Sequence, residues 1–290
     1  SQESSGNITH TSLMVSLPYK AIDDPKIEIS VTLREIYILQ RMEDFTHNES
    51  VVETENGLKI IHVFKYLKDL AHWTSVSSTF SDHMILFTKY FMYDDEGYFM
   101  NGYAYFYGVC DKYFKTAVIR TRDYYMTAAT AAHELAHNLG VDHDGEGNAK
   151  DCKAEDQFLM APKDPVFDKS KPYSRNPWIF SNCSLNVFKD SLINRTCLYN
   201  VGVFYNIDEW TQFMTDVPGE IYSIRDQCQF FNGHGSVFCG KDIRDICRFM
   251  QCTDPVTTKC IPIFISAAPG TYCGPNRWCK EGLCVSKASK

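Results

Sequence analysis

The sequence lacks a long hydrophobic run and an excess of positive charge. No apolar stretch among its 290 residues approaches the roughly 20 that a transmembrane helix needs, so we expect no membrane span. The formal net charge is −7, which argues against nucleic-acid binding because that affinity comes mainly from lysine and arginine. The chain opens on the polar SQESSGNITH and not on a signal peptide. We therefore expect a processed or partial product.

Cysteine, in contrast, is abundant and unevenly distributed. There are 12 cysteines, and eight of them lie between Cys228 and Cys284. Cytosolic proteins rarely carry this density, whereas secreted domains use it to stabilise small cores. Four N-x-[S/T] sequons are typical of a secreted glycoprotein; they begin at Asn7, Asn48, Asn182 and Asn194. The sequence therefore predicts a secreted, extracellular protein.

Hydrophobic patterning predicts an α/β core before Cys197. The first 25 residues are polar and expected to be irregular, residues 26–39 predict a strand, and residues 56–73 show helical spacing. HMILFTKY, GYAYFYGVC and TAVIRT predict further strands, and a long helix begins near Asp123. Strands that alternate with helices imply an α/β fold.

The amino-acid composition changes after Cys197, where prolines, glycines and cysteines begin to occur every few residues. We expect a first domain over residues 1–202, a linker over 203–216 and a small disulfide-rich domain over 217–290. No internal repeat or low-complexity tract is present.

Three histidines are concentrated in the segment AAHELAHNLGVDHDG. His133 and His137 are four residues apart, so both lie on one helix face. Glu134 is turned away by about 100° and can reach a water molecule instead of the same ion. Gly140 suits the positive φ that ends a helix and lets His143 complete the set. Three protein ligands with one open position are typical of catalytic zinc, and the alternative is a histidine-rich amphipathic helix.

The motif HELAHNLGVDHD resembles the HExxHxxGxxHD signature of metzincin proteases, and Asp144 is typical of the adamalysin or reprolysin branch. QFLMAP places Met160 where these proteases carry a methionine turn. VPGEIYSIRDQC and GTYCGPNRWC resemble the disintegrin-like domain of the ADAMTS branch and of arthropod salivary metalloproteases. The resemblance implies a twisted mixed sheet with helices, followed by a small disulfide-rich domain. The first strand and helix of that fold have no counterpart, so we expect a truncated N-terminal edge.

The resemblance also implies roles for individual residues. His133, His137 and His143 would bind one zinc ion, and Glu134 would be the general base for a zinc-bound water. A substrate would add a strand beside an edge strand, with an ordinary buried strand as the alternative; the edge-strand residues are Gly102, Tyr103, Ala104 and Tyr105.

A structural calcium ion is a further implication of the resemblance. Its ligands would be Asp82, the carbonyl of Cys197 and Asn200; the alternative is a solvated aspartate and a helix-capping asparagine. The resemblance also implies six disulfides, namely Cys110–Cys197, Cys152–Cys183, Cys228–Cys252, Cys239–Cys260, Cys247–Cys279 and Cys273–Cys284.

These observations predict a secreted zinc endopeptidase, monomeric, that cleaves extracellular matrix or clotting proteins. The rival hypothesis is a binding protein whose tail engages a receptor. Glu134 favours the enzyme, and the absence of an Arg-Gly-Asp tripeptide removes the simplest integrin-binding mechanism. A structural or storage zinc protein is disfavoured because only three ligands converge. All catalytic positions precede Cys197, so we expect the tail to be dispensable for cleavage of short peptides.

Overall fold

A computed structural model gives the fold of most of the chain. It describes residues 14–39, 50–54, 56–57, 59–77, 81–122, 124–164, 175–199, 217–262 and 266–287. The predicted linker, the calcium candidate Asn200 and the sequons at Asn7 and Asn48 lie outside these residues. Helices and mixed sheets alternate along the described part of residues 1–202, so the predicted α/β class is confirmed.

Seven strands of the described chain precede Cys197. They are β1 (Val51–Glu53), β2 (Lys59–His62), β3 (Met84–Thr88), β4 (Phe91–Tyr93), β5 (Phe99–Met100), β6 (Gly102–Ala104) and β7 (Thr116–Arg120). One sheet has the order β1-β2-β4-β5 and a second has the order β3-β7-β6. Each sheet is mixed, because β2 pairs with β4 and β3 with β7 in parallel while the other neighbours are antiparallel. Strand β6 therefore lies at a sheet edge.

Four α-helices lie in the described part of the chain before Cys197, and two of them, the second and the third, pack on these sheets. They are α1 (residues 14–20), α2 (Val63–Val76), α3 (Tyr124–Asn138) and α4 (Asn182–Leu192). Helix α3 contacts both β6 and β7, and alanines 128, 131, 132 and 136 on it are buried. Small side chains let the helix lie close to the sheet, which brings its histidines near the edge strand.

The predicted helix over residues 56–73 is wrong at its beginning. Residues Lys59–His62 form strand β2, and the helix begins only at Val63. Ile61 is fully buried, and β2 pairs with β1 on one side and β4 on the other. The β-branched pair Ile60–Ile61 suits a pleated central strand, and this sheet context overrides the helical spacing that follows it.

The two N-terminal predictions also differ from the structure. Within residues 21–39, all of which the structure describes, no strand forms. Alternate side chains of that segment, among them Ile27 and Ile29, still pack against the core. The alternating hydrophobic pattern therefore predicted correctly which side chains are buried, but the segment has no hydrogen-bonded partner strand. Residues 14–20, expected to be irregular, form a helix whose Tyr19 is buried and donates a hydrogen bond to the Ala132 carbonyl at 2.8 Å.

The tail, defined here as residues 217–290, has little regular structure in its described part. It contains helices α5 (Pro218–Ile221) and α6 (Ile224–Asn232) and strands β8 (Gln251–Thr253), β9 (Cys260–Pro262), β10 (Tyr272–Gly274), β11 (Arg277–Lys280) and β12 (Leu283–Ser286). Helix α6 begins with a capping box in which the side chains of Ser223 and Asp226 each bond to the backbone of the other.

All twelve cysteines form disulfides, and the six pairs are those that the resemblance implies. Two disulfides lie before the tail and four lie within it. None of the helices in the described ranges is both long and apolar enough to cross a membrane.

Candidate metal and active site

The structure brings the three histidines of the motif together. His133 and His137 lie on α3, and Gly140 ends that helix with φ +100°. The chain then turns back so that the Nε2 atoms of His137 and His143 are 3.1 Å apart. One nitrogen from each of the three imidazoles lies within 4.8 Å of the other two. The spacing in the sequence thus produces a compact cluster of three nitrogen donors.

Backbone carbonyls fix the tautomers of the two helical histidines. His133 Nδ1 lies 2.8 Å from the Leu159 carbonyl, and His137 Nδ1 lies 2.7 Å from the Val141 carbonyl. Because a carbonyl only accepts hydrogen bonds, each Nδ1 carries the proton and each Nε2 keeps its lone pair. Burial, and then the neighbouring imidazoles, hold the pKa of His133 well below its usual value and lower the pKa of His137 to about 4.

This donor set fits zinc. The Nε2 atoms of His137 and His143 lie 3.1 Å apart, and the Nε2 atom of His137 carries a lone pair because its proton is on Nδ1. Tetrahedral zinc, with Zn–N bonds of about 2.0–2.1 Å, separates two nitrogen ligands by about 3.3 Å. Carbonyl or carboxylate partners on the second ring nitrogen are usual for zinc-binding histidines, and His143 has one in Glu146 at 3.3 Å.

Glu134 lies between the histidine cluster and the edge strand. Its carboxylate is buried and accepts a hydrogen bond from the backbone N–H of Ala104. Burial raises the pKa of Glu134 to about 8, although the Ala104 N–H acts in the opposite direction. A Cβ atom added to Gly102 would lie 2.6 Å from Glu134 Oε1 and 2.6 Å from Thr130 Cγ2. Glycine at this position therefore lets the edge strand approach the carboxylate.

The outer edge of β6 faces the cleft. Arg120 N–H donates to the Asn101 carbonyl at 2.8 Å, and Tyr105 N–H donates to the Thr116 carbonyl at 3.3 Å. These bonds direct the backbone groups of the odd-numbered residues toward β7, so those of Gly102 and Ala104 point away from it. The resulting cleft has a volume of about 890 Å³ and includes the three histidines and Glu134 in its lining.

Gly140 has a second constraint besides its backbone angle. A Cβ atom at Gly140 would lie 2.5 Å from Cδ2 of Tyr107. Tyr107 follows the edge strand, and its N–H donates to the His137 carbonyl at 2.9 Å. The turn after the helix and the turn after the edge strand thus pack directly against each other.

Met160 and Asp144 stabilise the segment that carries the third histidine. Met160 is fully buried, and its carbonyl accepts a hydrogen bond from Asp144 N–H at 2.9 Å. Ser181 Oγ donates to Asp144 Oδ1 at 2.6 Å. Burial raises the pKa of Asp144, and the Ser181 hydroxyl opposes that rise. Asp144 therefore links the metal-site loop to the beginning of α4.

Asn138 is a structural residue of the site that the sequence reasoning missed. Its Nδ2 donates to the carbonyls of Tyr105 and Phe114, both at 2.8 Å, and its Oδ1 lies 2.9 Å from Nδ1 of His83. The side chain is fully buried. It joins α3 to the edge strand and to the chain that follows it. A buried amide in an otherwise alanine-rich helix, next to His137, was the available signal.

The remaining predicted site residues are separate from the cleft. The Cys110–Cys197 disulfide lies beside Asp82, whose Oδ1 is 3.7 Å from Cys110 Sγ. Asp82 thus lies beside the disulfide that includes Cys197, and calcium binding stays a prediction. Burial raises the pKa of Asp82, while Arg34 and Lys115 lower it. The sequon residues Asn182 and Asn194 are exposed.

Two family models match the chain. The model described as Reprolysin (M12B) family zinc metalloprotease matches residues 28–201, and the model described as ADAMTS cysteine-rich domain 2 matches residues 218–285. The first match includes the histidine cluster, Glu134 and the edge strand. The second match covers the region expected to resemble a disintegrin-like domain.

Curated relatives agree with both matches. "A disintegrin and metalloproteinase with thrombospondin motifs 16" of Homo sapiens is 30% identical over 241 residues, which are 80% of this chain and 19% of that protein. Protein 18 of the same series in Homo sapiens is 30% identical over 81% of this chain and 19% of its own length. Protein 7 in Homo sapiens is 33% identical over 54% of this chain and 9% of its own.

The chain thus spans about a fifth of the length of the first two of these relatives. The reprolysin model nevertheless covers more than half of the chain, and the geometry of the histidine cluster agrees with its description. The chain therefore belongs to the reprolysin (M12B) family of zinc metalloproteases.

Proposed function

We propose that this protein is a secreted zinc-dependent endopeptidase that hydrolyses peptide bonds of extracellular proteins. The observation that carries the proposal is the position of Glu134. It lies beside the three imidazoles and is hydrogen-bonded to the edge strand through Ala104 N–H. A site that only stored zinc would need no buried carboxylate at the strand where a substrate backbone docks.

Each group in the cleft has a role in this reaction. A zinc ion, when bound by the three imidazoles, polarises the scissile carbonyl and lowers the pKa of water. The substrate lies along the outer edge of β6 and pairs with the backbone groups of Gly102 and with the Ala104 carbonyl, because the Ala104 N–H is bonded to Glu134. Glu134 accepts a proton from the attacking water and passes it to the leaving amine nitrogen.

Secretion and domain organisation belong to the same proposal. Six disulfides support an oxidising compartment, and two exposed sequon residues, Asn182 and Asn194, support glycosylation. We propose residues 217–290 as a second domain after the protease domain. Matrix and clotting proteins are the substrates to examine first.

The proposal is tested by separating metal binding from proton transfer. Glu134→Ala should retain one zinc per chain, because the imidazoles are the ligands, and should lower kcat by about 10²–10⁴-fold with little change in KM. His137→Ala should lose zinc, because two imidazoles hold the ion poorly. Metal analysis and a peptide-cleavage assay on both variants measure the two effects.

The two variants are controls for each other, since both are inactive for different reasons. Cleavage by Glu134→Ala at the wild-type rate would show that the mechanism is wrong. Loss of zinc from Glu134→Ala would show that Glu134 is a ligand or has a structural role in the metal site. A wild-type protein that binds zinc but cleaves no peptide would favour the rival hypothesis of a binding protein.

A further inference from the structure

The last hairpin of the tail contacts the protease region at a glycine. Gly282 lies between β11 and β12 with φ +74°. A Cβ atom added to it would lie 2.6 Å from Cη2 and 2.9 Å from Cζ2 of Trp178. Trp178 is only 8% exposed. The bare backbone of the hairpin turn therefore rests against the indole ring, and even a methyl group at position 282 would displace one of them.

An ion pair lies beside this contact. Glu281, the other residue of the turn, pairs with Arg175, and the two side chains are 24% and 47% exposed. Partly exposed pairs contribute little stability on their own. This pair is a second contact between the turn and the segment that contains Trp178.

Arg175 and Trp178 flank a part of the cleft lining. Residues Asn176–Trp178 form a 3₁₀ turn, which we term the cleft wall. Pro177 in the cleft wall is buried and also lines the cleft, together with Ala161 and Pro162. The tail thus contacts residues on either side of the proline that a substrate side chain would touch.

Hydrogen bonds connect the cleft wall with a zinc-binding histidine. The carbonyl of Ile179, which follows the wall, accepts a bond from Leu159 N–H at 3.0 Å. The carbonyl of Leu159 in turn lies 2.8 Å from Nδ1 of His133. The wall is also attached through Asn176, whose Nδ2 donates to the Asp156 carbonyl at 2.7 Å. A continuous series of contacts therefore runs from the tail to the metal site.

We infer that the hairpin turn Glu281–Gly282 is a positioning element for the cleft wall and thereby sets which substrate side chain fits beside Pro177. The inference rests on the proposed function. It differs from the expectation drawn from the sequence, in which the tail is dispensable for short peptides. Cleavage of short peptides depends on the tail whenever their side chains reach the wall.

The experiment compares two tail glycines. Gly282→Ala adds a methyl group against Trp178, whereas Gly233→Ala adds it at φ +93° with no atom within 4 Å. Both variants carry backbone strain, and only the first disturbs the contact. Glu281→Gln is a milder variant that removes the ion pair without changing the backbone. Thermal unfolding establishes that each protein is folded.

Two measurements separate the variants. The first measurement uses pairs of short peptides that differ only at the residue facing Pro177. The ratio of kcat/KM for the two peptides of a pair should change by about 10-fold in Gly282→Ala relative to wild type. Phe99 also lines the cleft, and the preference for substrate side chains that face Phe99 should stay unchanged. In zinc-free protein labelled with 5-fluorotryptophan, the ¹⁹F signal of Trp178, assigned with Trp178→Phe, should shift in Gly282→Ala and stay in place in Gly233→Ala. Glu281→Gln should show the same changes to a smaller extent.

The outcomes distinguish this inference from the proposed function. If wild-type protein cleaves the peptides and Gly282→Ala shows the same preferences and the same ¹⁹F signal as Gly233→Ala, the inference is overturned and the function stands. If Gly282→Ala is unfolded, the preferences and signal of Glu281→Gln decide in the same way. If zinc-loaded wild-type protein cleaves no peptide, the proposed function fails and the inference fails with it.

Discussion

The protease region and the tail each contain a buried side-chain amide that forms hydrogen bonds to separate segments of the chain. Asn138 in the protease region is fully buried and bonds to Tyr105, Phe114 and His83. Gln227 in the tail is 1% exposed. Its Nε2 donates to the Tyr222 carbonyl and to Thr271 Oγ1, and its Oε1 accepts from Ala268 N–H, all at 2.9 Å.

The surroundings differ in how many covalent crosslinks accompany the hydrogen bonds. The tail has four disulfides between Cys228 and Cys284, and Gln227 is adjacent to one of them. The protease region has two, and they link residues 87 and 31 positions apart. Disulfides limit the freedom of the unfolded chain, so the tail should tolerate the loss of its amide better. The protease region depends on packing and hydrogen bonds to keep its cleft in shape.

The largest effect should come from Asn138→Ala. The substitution leaves two carbonyls and the His83 ring nitrogen without their partner in a buried place, which costs about 3–5 kcal/mol in the free energy of unfolding. Peptide cleavage should fall as well, because the chain at the end of the edge strand loses its bond from Asn138 to the Tyr105 carbonyl. Urea unfolding and a peptide assay measure both. Ser191→Ala is the control, because it removes a single bond, from Ser191 Oγ to the Leu139 carbonyl, and should cost about 1 kcal/mol. Equal losses in the two variants would contradict the assigned role of Asn138.

Gln227→Ala should have a smaller effect, about 1–3 kcal/mol, confined to the tail. The disulfides hold the neighbouring chain in place, so the polar groups can bond to water that enters the gap. Hydrogen exchange of tail amides, followed with and without mild reducing agent, measures the effect. Reduction should enlarge it. If Gln227→Ala destabilises the oxidised protein as much as Asn138→Ala does, crosslinks do not explain the difference between the regions.

The smallest effect should be a loss of stability in mild acid that involves His83. Burial lowers the pKa of His83 from its ordinary value of 6.5 to about 4, although its bond to Asn138 opposes the shift. As the pH falls from about 6.5 toward 4, the unfolded chain takes up this proton first, so stability is lost across that window. Between pH 7 and 5.5 the loss from this group is about 1 kcal/mol.

His133 and His137 act in the same direction, so the contribution of His83 is obtained by difference. Urea unfolding of metal-free wild-type protein and of His83→Gln at several pH values gives it. The variant should show a flatter dependence on pH. Parallel curves for the two proteins would mean that His83 is not held neutral by its surroundings.

The part of the site that local geometry determines could be predicted from the sequence. Helical spacing places His133 and His137 on one face, and Gly140 has the positive φ that returns His143 to them. The edge strand was predicted at Gly102 to Tyr105, and the structure has β6 at Gly102–Ala104. The six cysteine pairs came from resemblance to a known family, because spacing alone does not give connectivity.

Contacts between residues far apart in the chain could not be predicted in this way. Tyr19 bonds to Ala132 across 113 positions, and Gly282 packs on Trp178; no local periodicity encodes either contact. Ile27 and Ile29 alternate as in a strand, yet no strand forms there. Their pattern reports which side chains are buried, while a strand also requires a partner with free backbone groups.

The packing of Gly140 on Tyr107 has a consequence for how this family can diverge. Position 140 serves two requirements, a backbone angle of +100° and room for the Tyr107 ring. An asparagine could satisfy the first requirement in another protein, but here its Cβ would collide with the tyrosine. The two positions are therefore coupled, and a larger residue at 140 can become established only in a lineage in which residue 107 has already become small. We therefore expect the residues at positions 107 and 140 to co-vary among related sequences.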